Sequence, residues 1–244
     1  MKSSGWTGMR GSSVTPVPHV VTLGDGTTVS ALIDEPPRSD AWYVLAHGAG
    51  AGMTHAFLSA LAAGLAERGI AVLRFQFPYM ERGSRRPDSP AVAHAAVRAA
   101  AAAARELAGT LPLFAGGKSF GGRMTTQAQA AEPLPGVGGL VLVGFPLHPA
   151  GKPSMARAEH LAAIRLPMLL LQGTRDALAD AGLIRQVVGA HRGPIDLRMV
   201  ENADHGFHVP ARSPRGDGAV IEELLDAMAD WMRRPRRDGV SATA

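Results

Sequence analysis

The 244-residue sequence contains no cysteine, which excludes a disulfide framework, a thiolate metal site and a cysteine nucleophile together. Covalent chemistry must therefore fall to another side chain. Aromatic residues make up 5% of the chain, too few for the stacking platforms on which single-stranded nucleic acids bind. Lysine occurs only at Lys2, Lys118 and Lys152, so the formal charge of +4 is carried by arginines. These are dispersed among acids except at 82–86 and 233–237, which describes a solvated basic face, and no nucleic-acid partner is expected. No run of about eighteen uncharged apolar residues occurs, and the opening MKSSGWTGMRGSSVTPVP lacks the apolar core of a signal peptide. A soluble, cytoplasmic protein without a membrane partner is expected.

What is present is a 46% hydrophobic content, ample for the core of one large domain. A single domain is expected over 16–234, with flexible ends at 1–15 and 235–244. Two short β-prone runs, His19 to Leu23 and Thr27 to Ile33, flank the turn signal Gly24-Asp25-Gly26 and predict a β-hairpin. Compact apolar runs follow at 41–46, 70–77, 111–115, 139–143, 167–171 and 195–200, without the polar alternation of a half-exposed strand. Helix-patterned stretches separate them at about 54–68, 90–107, 120–131, 155–164 and 179–190, and 219–233 closes the series. Ser89-Pro90 supplies an N-cap followed by proline at the first helical position, and Gly69 sits where a helix C-terminal glycine belongs. A hairpin followed by repeated β-α units predicts an α/β fold: a mostly parallel sheet covered by helices on both faces.

The stretch LFAGGKSFGGR, Leu113 to Arg123, admits two readings. Gly-Lys-Ser is the end of a nucleotide-binding P-loop, but that motif needs a glycine five residues before Gly117, where the chain has Pro112. Gly117-Lys118-Ser119-Phe120-Gly121 also fits the G-x-S-x-G nucleophile elbow, a turn so tight that the residues two before and two after the serine must be very small. A strand at Leu113 to Ala115 and a helix from about Met124 supply the flanks. A serine hydroxyl is a poor nucleophile until a histidine takes its proton, and that histidine needs an acid to orient it. Two later strands end in suitable residues: PMLLLQG runs into Thr174-Arg175-Asp176, and IDLRMVEN into Ala203-Asp204-His205. Asp180, one turn beyond Asp176, is better suited to starting a helix. His208 is the rival of His205 within one loop, where a rim hydrogen bond is its alternative. Asp204 is expected to be exposed. The pair His205-x-x-His208 has no accompanying ligand cluster, so no metal is expected.

The elbow GGKSFGGR, HGAGAG after the first long strand, FPY after the next, QGTRD and ADHGF together resemble the α/β-hydrolase superfamily over about Val17 to Arg233. Within it, the sequence is similar to the small capless branch near dienelactone hydrolases, and to the testis-expressed and NSL-complex hydrolase-like proteins. The resemblance implies Ser119 as nucleophile, Asp176 as acid and His205 as base, with no cofactor. Dienelactone hydrolases carry a cysteine where this chain has Ser119. The backbone N–H groups of Phe120 and Ala49 are expected to form the oxyanion hole.

Lys118, Arg82, Arg85 and Arg86 are expected around the mouth of the site, where they would attract an anionic substrate. The alternative for Lys118 is a salt bridge to a carboxylate beneath the elbow. Arg123, in the first turn of a helix, opposes the helix dipole and is expected to have an acidic partner. The segment from Phe145 to Leu166 holds one short helix where related enzymes insert a lid, so an open site for small acyl substrates is expected. Ester hydrolysis through an acyl-enzyme is the reading that follows. A thioesterase, a peptidase or a non-catalytic scaffold of the same fold are the alternatives.

Overall fold

The computed structural model describes residues 14–235. The flexible ends expected at 1–15 and 235–244 lie outside the described residues, apart from 14, 15 and 235. The hairpin forms as β1 (Val17–Thr22) and β2 (Thr28–Asp34), paired antiparallel. Its turn is closed by Thr27 N–H donating to Asp25 Oδ1 at 2.9 Å.

The apolar runs become strands β3 (Ala41–Ala46), β4 (Ile70–Phe75), β5 (Leu113–Lys118), β6 (Val137–Val143), β7 (Met168–Gly173) and β8 (Ile195–Val200). They form one eight-stranded sheet in the order β1-β2-β4-β3-β5-β6-β7-β8, parallel from β4 to β8. Strands β3, β4, β5 and β7 are buried along their whole length, which is why their sequences carry no alternation. At β8 the expectation of a continuous apolar strand fails. IDLRMV alternates partly buried with exposed residues because it is the edge strand. The run 70–77 also stops short as a strand, at Phe75, because Pro78 opens the four-residue helix α2 (Pro78–Glu81).

Helices α1 (Ala56–Glu67) and α6 (Asp217–Arg233) cover one face of the sheet, and α3 (Pro90–Ala108) and α4 (Phe120–Ala131) the other. α5 (Ala181–Ala190) precedes β8. In α1, Leu58, Leu61 and Leu65 share one face and are at most 1% exposed, each contributing roughly 1.5–3 kcal/mol through burial. A Cβ on Gly64 would lie 2.3 Å from Leu225 Cδ1, so glycine there sets the approach of α1 to α6. Only a 3-10 helix, Ala156–Ala163, stands between β6 and β7; no lid domain is inserted.

This strand order places the switch point at β3. The chain leaves β3 through α1 to pair β4 on one side, then crosses through α3 to pair β5 on the other. Open α/β sheets bind ligands in the crevice beyond the strand ends at such a point. Here that crevice lies between the loop after β3 and the turn after β5.

Candidate active site

The turn after β5 carries Ser119 at φ 52°, ψ −114°, a conformation that side-chain-bearing residues adopt only when their surroundings hold them in it. The surroundings do so through very small neighbours. A Cβ on Gly117 would lie 2.3 Å, and on Gly121 2.4 Å, from the carbonyl oxygen of Ala46 in β3. Both positions required to be small are therefore closed by backbone, not by adjustable side chains. Ser119 N–H donates to Val143 O at 3.0 Å, tying the turn to the end of β6.

The structure brings Ser119, His205 and Asp176 together. His205 Nε2 is 2.8 Å from Ser119 Oγ, and His205 Nδ1 is 2.7 Å from Asp176 Oδ2. Asp176 is 6% exposed. Its carboxylate also accepts from Gln172 Nε2 at 2.5 Å and from Leu178 N–H at 2.7 Å. A carboxyl oxygen fixed in this way accepts from His205 Nδ1, and a proton on Nδ1 leaves Nε2 as an acceptor for the serine hydroxyl. Gln172 was invisible to sequence reasoning, since a glutamine at the end of a buried strand carries no motif.

The rivals fall elsewhere. Asp180 is the N-cap of α5, accepting from the N–H groups of Gly182 and Leu183, each at 2.9 Å. His208 Nδ1 lies 2.7 Å from Asp217 Oδ2 in the first turn of α6. Asp204, expected to be exposed, is half-buried and caps its own loop by accepting from Gly206 N–H and His208 N–H.

The loop after β3 is pinned against the elbow. A Cβ on Gly48 would sit 3.8 Å from Ser119 Cβ, so Gly48 packs beside the serine. Among the described residues, neither Ala49 N–H nor Phe120 N–H donates to a protein acceptor. His47 is fully buried, accepts Phe77 N–H at Nε2 (2.9 Å) and lies 2.8 Å from Gly48 O through Nδ1. Tyr79 Oη accepts Gly50 N–H at 3.3 Å, Gln76 Oε1 accepts Met53 N–H at 2.9 Å, and Arg74 Nη1 donates to Met53 O. Arg74 itself is paired with the buried Asp34 at 2.9 Å.

Burial pushes the pKa of His47 down to about 4, and the bond from Phe77 requires its neutral form. The folded pKa lies below the ordinary 6.5, so between pH 6.5 and 4 the unfolded chain binds more protons and stability is lost as pH falls through that window. On lowering pH from 7 to 5 this group alone should cost on the order of 2 kcal/mol. Urea unfolding at the two pH values, with an NMR titration of the His47 ring, checks this; a ring that titrates near 6.5 contradicts it.

The four cations expected at the mouth separate. Arg82 donates to Asp88 at 2.6 Å, and Asp88 in turn accepts Tyr79 N–H. Arg85 lines a cleft of about 490 Å³ together with Gly50, Met80, Gly83 and Ser84, beside the β3 loop. Arg86 is exposed, its N–H donating to Ser84 Oγ. Lys118 does not reach the mouth. It is buried, donates from Nζ to the carbonyl of His205 at 2.7 Å, and lies 5.6 Å from the centroid of Phe207. Burial brings its pKa down to about 8, opposed by the nearby charges of Asp176 and Asp204. Among the described residues it thus forms no direct salt bridge either; its ammonium donates to a backbone carbonyl 87 residues away.

The comparisons with known proteins agree with this architecture. Residues 39–233 match the alpha/beta hydrolase domain family, and the chain belongs to that family. It is similar to a lidless α/β serine hydrolase from Xanthomonas campestris, with a TM-score of 0.69 at 20% identity over 91% of this chain and 97% of that one. A dienelactone hydrolase from Anabaena variabilis superimposes with a TM-score of 0.69 at 17% identity, covering 89% and 96% of the two chains. Est1E from Butyrivibrio proteoclasticus, solved with ferulic acid bound, gives 0.69 at 16% identity over 88% and 100%.

Proposed function

We propose that this protein is a serine hydrolase that cleaves a carboxylic ester, or a similar acyl bond, through an acyl-enzyme. The observation that carries the reading is the unbroken chain of short contacts from Asp176 through His205 to Ser119. His205 Nε2 takes the hydroxyl proton as Ser119 Oγ bonds to the carbonyl carbon, and the carbonyl electron pair moves to oxygen. The N–H groups of Ala49 and Phe120 meet that oxyanion, the latter at the positive end of the α4 dipole. Collapse breaks the bond to the leaving alcohol, which takes the proton from His205. Water then repeats the sequence, releasing the acid and restoring the serine. With one 3-10 helix where a lid would stand, short or extended acyl groups suit the site better than long lipids. A screen of short esters, thioesters and amides tests the reading. Turnover should be highest for esters, and a folded sample inert to all three would favour the scaffold alternative.

Lys118 acts in this scheme as a positioning residue. A cation on the carbonyl of His205 holds the histidine loop against β5. Substituting methionine should lower kcat by roughly 10-fold or more with little change in KM, the pattern of an interaction made in the transition state. Since the ammonium loses its proton at about pH 8, the wild type should show an alkaline decline in kcat there that Lys118→Met lacks. An unchanged alkaline limb in the variant would assign the titration to another group.

A further inference from the structure

Strand β4 reads IAVLRF, and its arginine is the one charged residue in a strand buried along its whole length. Arg74 is 2% exposed, and its partner Asp34, the last residue of β2, is 1% exposed. The pair is bidentate: Nε donates to Asp34 Oδ2 at 2.9 Å and Nη2 to Oδ1 at 3.1 Å. Taking two charges out of water at that depth offsets most of the gain from their attraction, and well-packed apolar residues would hold β2 against β4 as well or better. Stability therefore does not account for the pair.

What an apolar residue could not supply is the third nitrogen of the guanidinium. Nη1 turns away from Asp34 and donates to Met53 O and to Ser59 Oγ, each at 2.9 Å. Met53 stands in the segment between β3 and α1, four residues after Ala49. Its N–H is held too, by Gln76 Oε1 at 2.9 Å. A Cβ on Gly52 would lie 2.8 Å from that same oxygen, so the clamp closes on bare backbone. At its other end the segment packs on the nucleophile through Gly48. Ala49 lies between these two fixed points. A backbone donor stabilises an oxyanion only if it is in place before the charge forms, and a glycine-rich stretch such as HGAGAG has little conformational preference of its own to keep it there.

We infer that Asp34 and Arg74 are positioning residues for the oxyanion donor: Asp34 fixes the guanidinium, and Nη1 fixes Met53 and the start of α1, which sets the course of the loop carrying Ala49. The inference rests on the hydrolase reading for its link to catalysis, but the hold on the loop can be tested without turnover.

The variant Asp34→Leu/Arg74→Met removes both charges together and leaves no unpaired ion behind. Amide hydrogen exchange followed by NMR should show Gly50, Ala51 and Met53 opening roughly 10-fold or more faster than in the wild type, while Val44 in β3 and Leu61 in α1 keep their rates. Unchanged exchange in the loop overturns the inference, and so does an equal acceleration at all five positions, which would make the pair a general support of the fold. In the active protein, kcat on 4-nitrophenyl butyrate should fall roughly 10- to 100-fold with little change in KM, the effect of a slightly misplaced group. The affinity of a trifluoromethyl ketone, whose adduct with Ser119 carries the oxyanion, should fall by the same factor. A loss of kcat with that affinity retained would also overturn the inference. Should the double variant fail to fold, Arg74→Lys keeps a cation beside Asp34 without the planar fork and should give the same pattern in both measurements. If the wild type turns over no ester, the hydrolase reading fails, and the exchange rates still decide whether the pair holds the loop.

Discussion

Replacing Ser119 with alanine should lower kcat on any ester substrate by roughly 10⁴- to 10⁶-fold, because the bond-forming atom is lost while the binding surface is kept. His205→Ala should fall in the same range. Asp176→Asn should cost roughly 10⁴-fold, since an amide nitrogen beside His205 Nδ1 would favour the tautomer that cannot accept the serine proton. The three residues act as one unit, so combining Ser119→Ala with either of the others should produce little further loss. Losses that multiply in the double variants would mean that the groups work independently. Should His208→Ala abolish turnover while His205→Ala spares it, the assignment within that loop is wrong, despite the 2.8 Å contact of His205 with Ser119.

The second large effect is on folding. A Cβ on Gly116 would lie 1.8 Å from the carbonyl oxygen of Val141 and 3.0 Å from Tyr43 Oη. The obstacle is backbone of the paired strand β6, and Tyr43 Oη is already donating to the same carbonyl at 2.9 Å. Neither can yield without opening the sheet beneath the nucleophile. Gly116→Ala should therefore cost more than the roughly 1–3 kcal/mol typical of overpacked cores and leave little folded protein. Gly189→Ala is the control. It lies in α5 with nothing within 4 Å of the added atom, and should stabilise by roughly 0.5–1 kcal/mol. Thermal melts of the two variants decide the matter. A Gly116→Ala protein that melts near the wild type would show that β5 and β6 can separate, contrary to the register seen here.

The sequence made the strands and helices legible because buried parallel strands are continuous apolar runs and the elbow demands a spacing of glycines that few other structures require. The succession of β-α units followed from those runs, the hairpin from the turn signal Gly24-Asp25-Gly26, and the absence of a lid from the single short helix in 145–166. Strand β8 was misread as fully buried because IDLRMV is apolar enough to pass for a core strand; only its edge position explains the alternation. Other features depend on contacts between distant residues, which spacing does not encode. The donation of Lys118 to His205 O spans 87 residues, and the bond from Phe77 N–H to the His47 ring spans 30. Arg123 misled for a different reason. An arginine in a first helical turn ordinarily has a carboxylate nearby, and among the described residues none pairs with Arg123, whose Nε is buried without a hydrogen-bond partner.

The most direct test of the central claim is to incubate the folded protein with a fluorophosphonate and locate the adduct by peptide mass spectrometry. This reagent phosphonylates a serine whose proton a neighbouring base removes. The account predicts one adduct, on Ser119, suppressed in His205→Ala and Asp176→Asn. Labelling at another residue, or none in a sample shown to be folded, would contradict it.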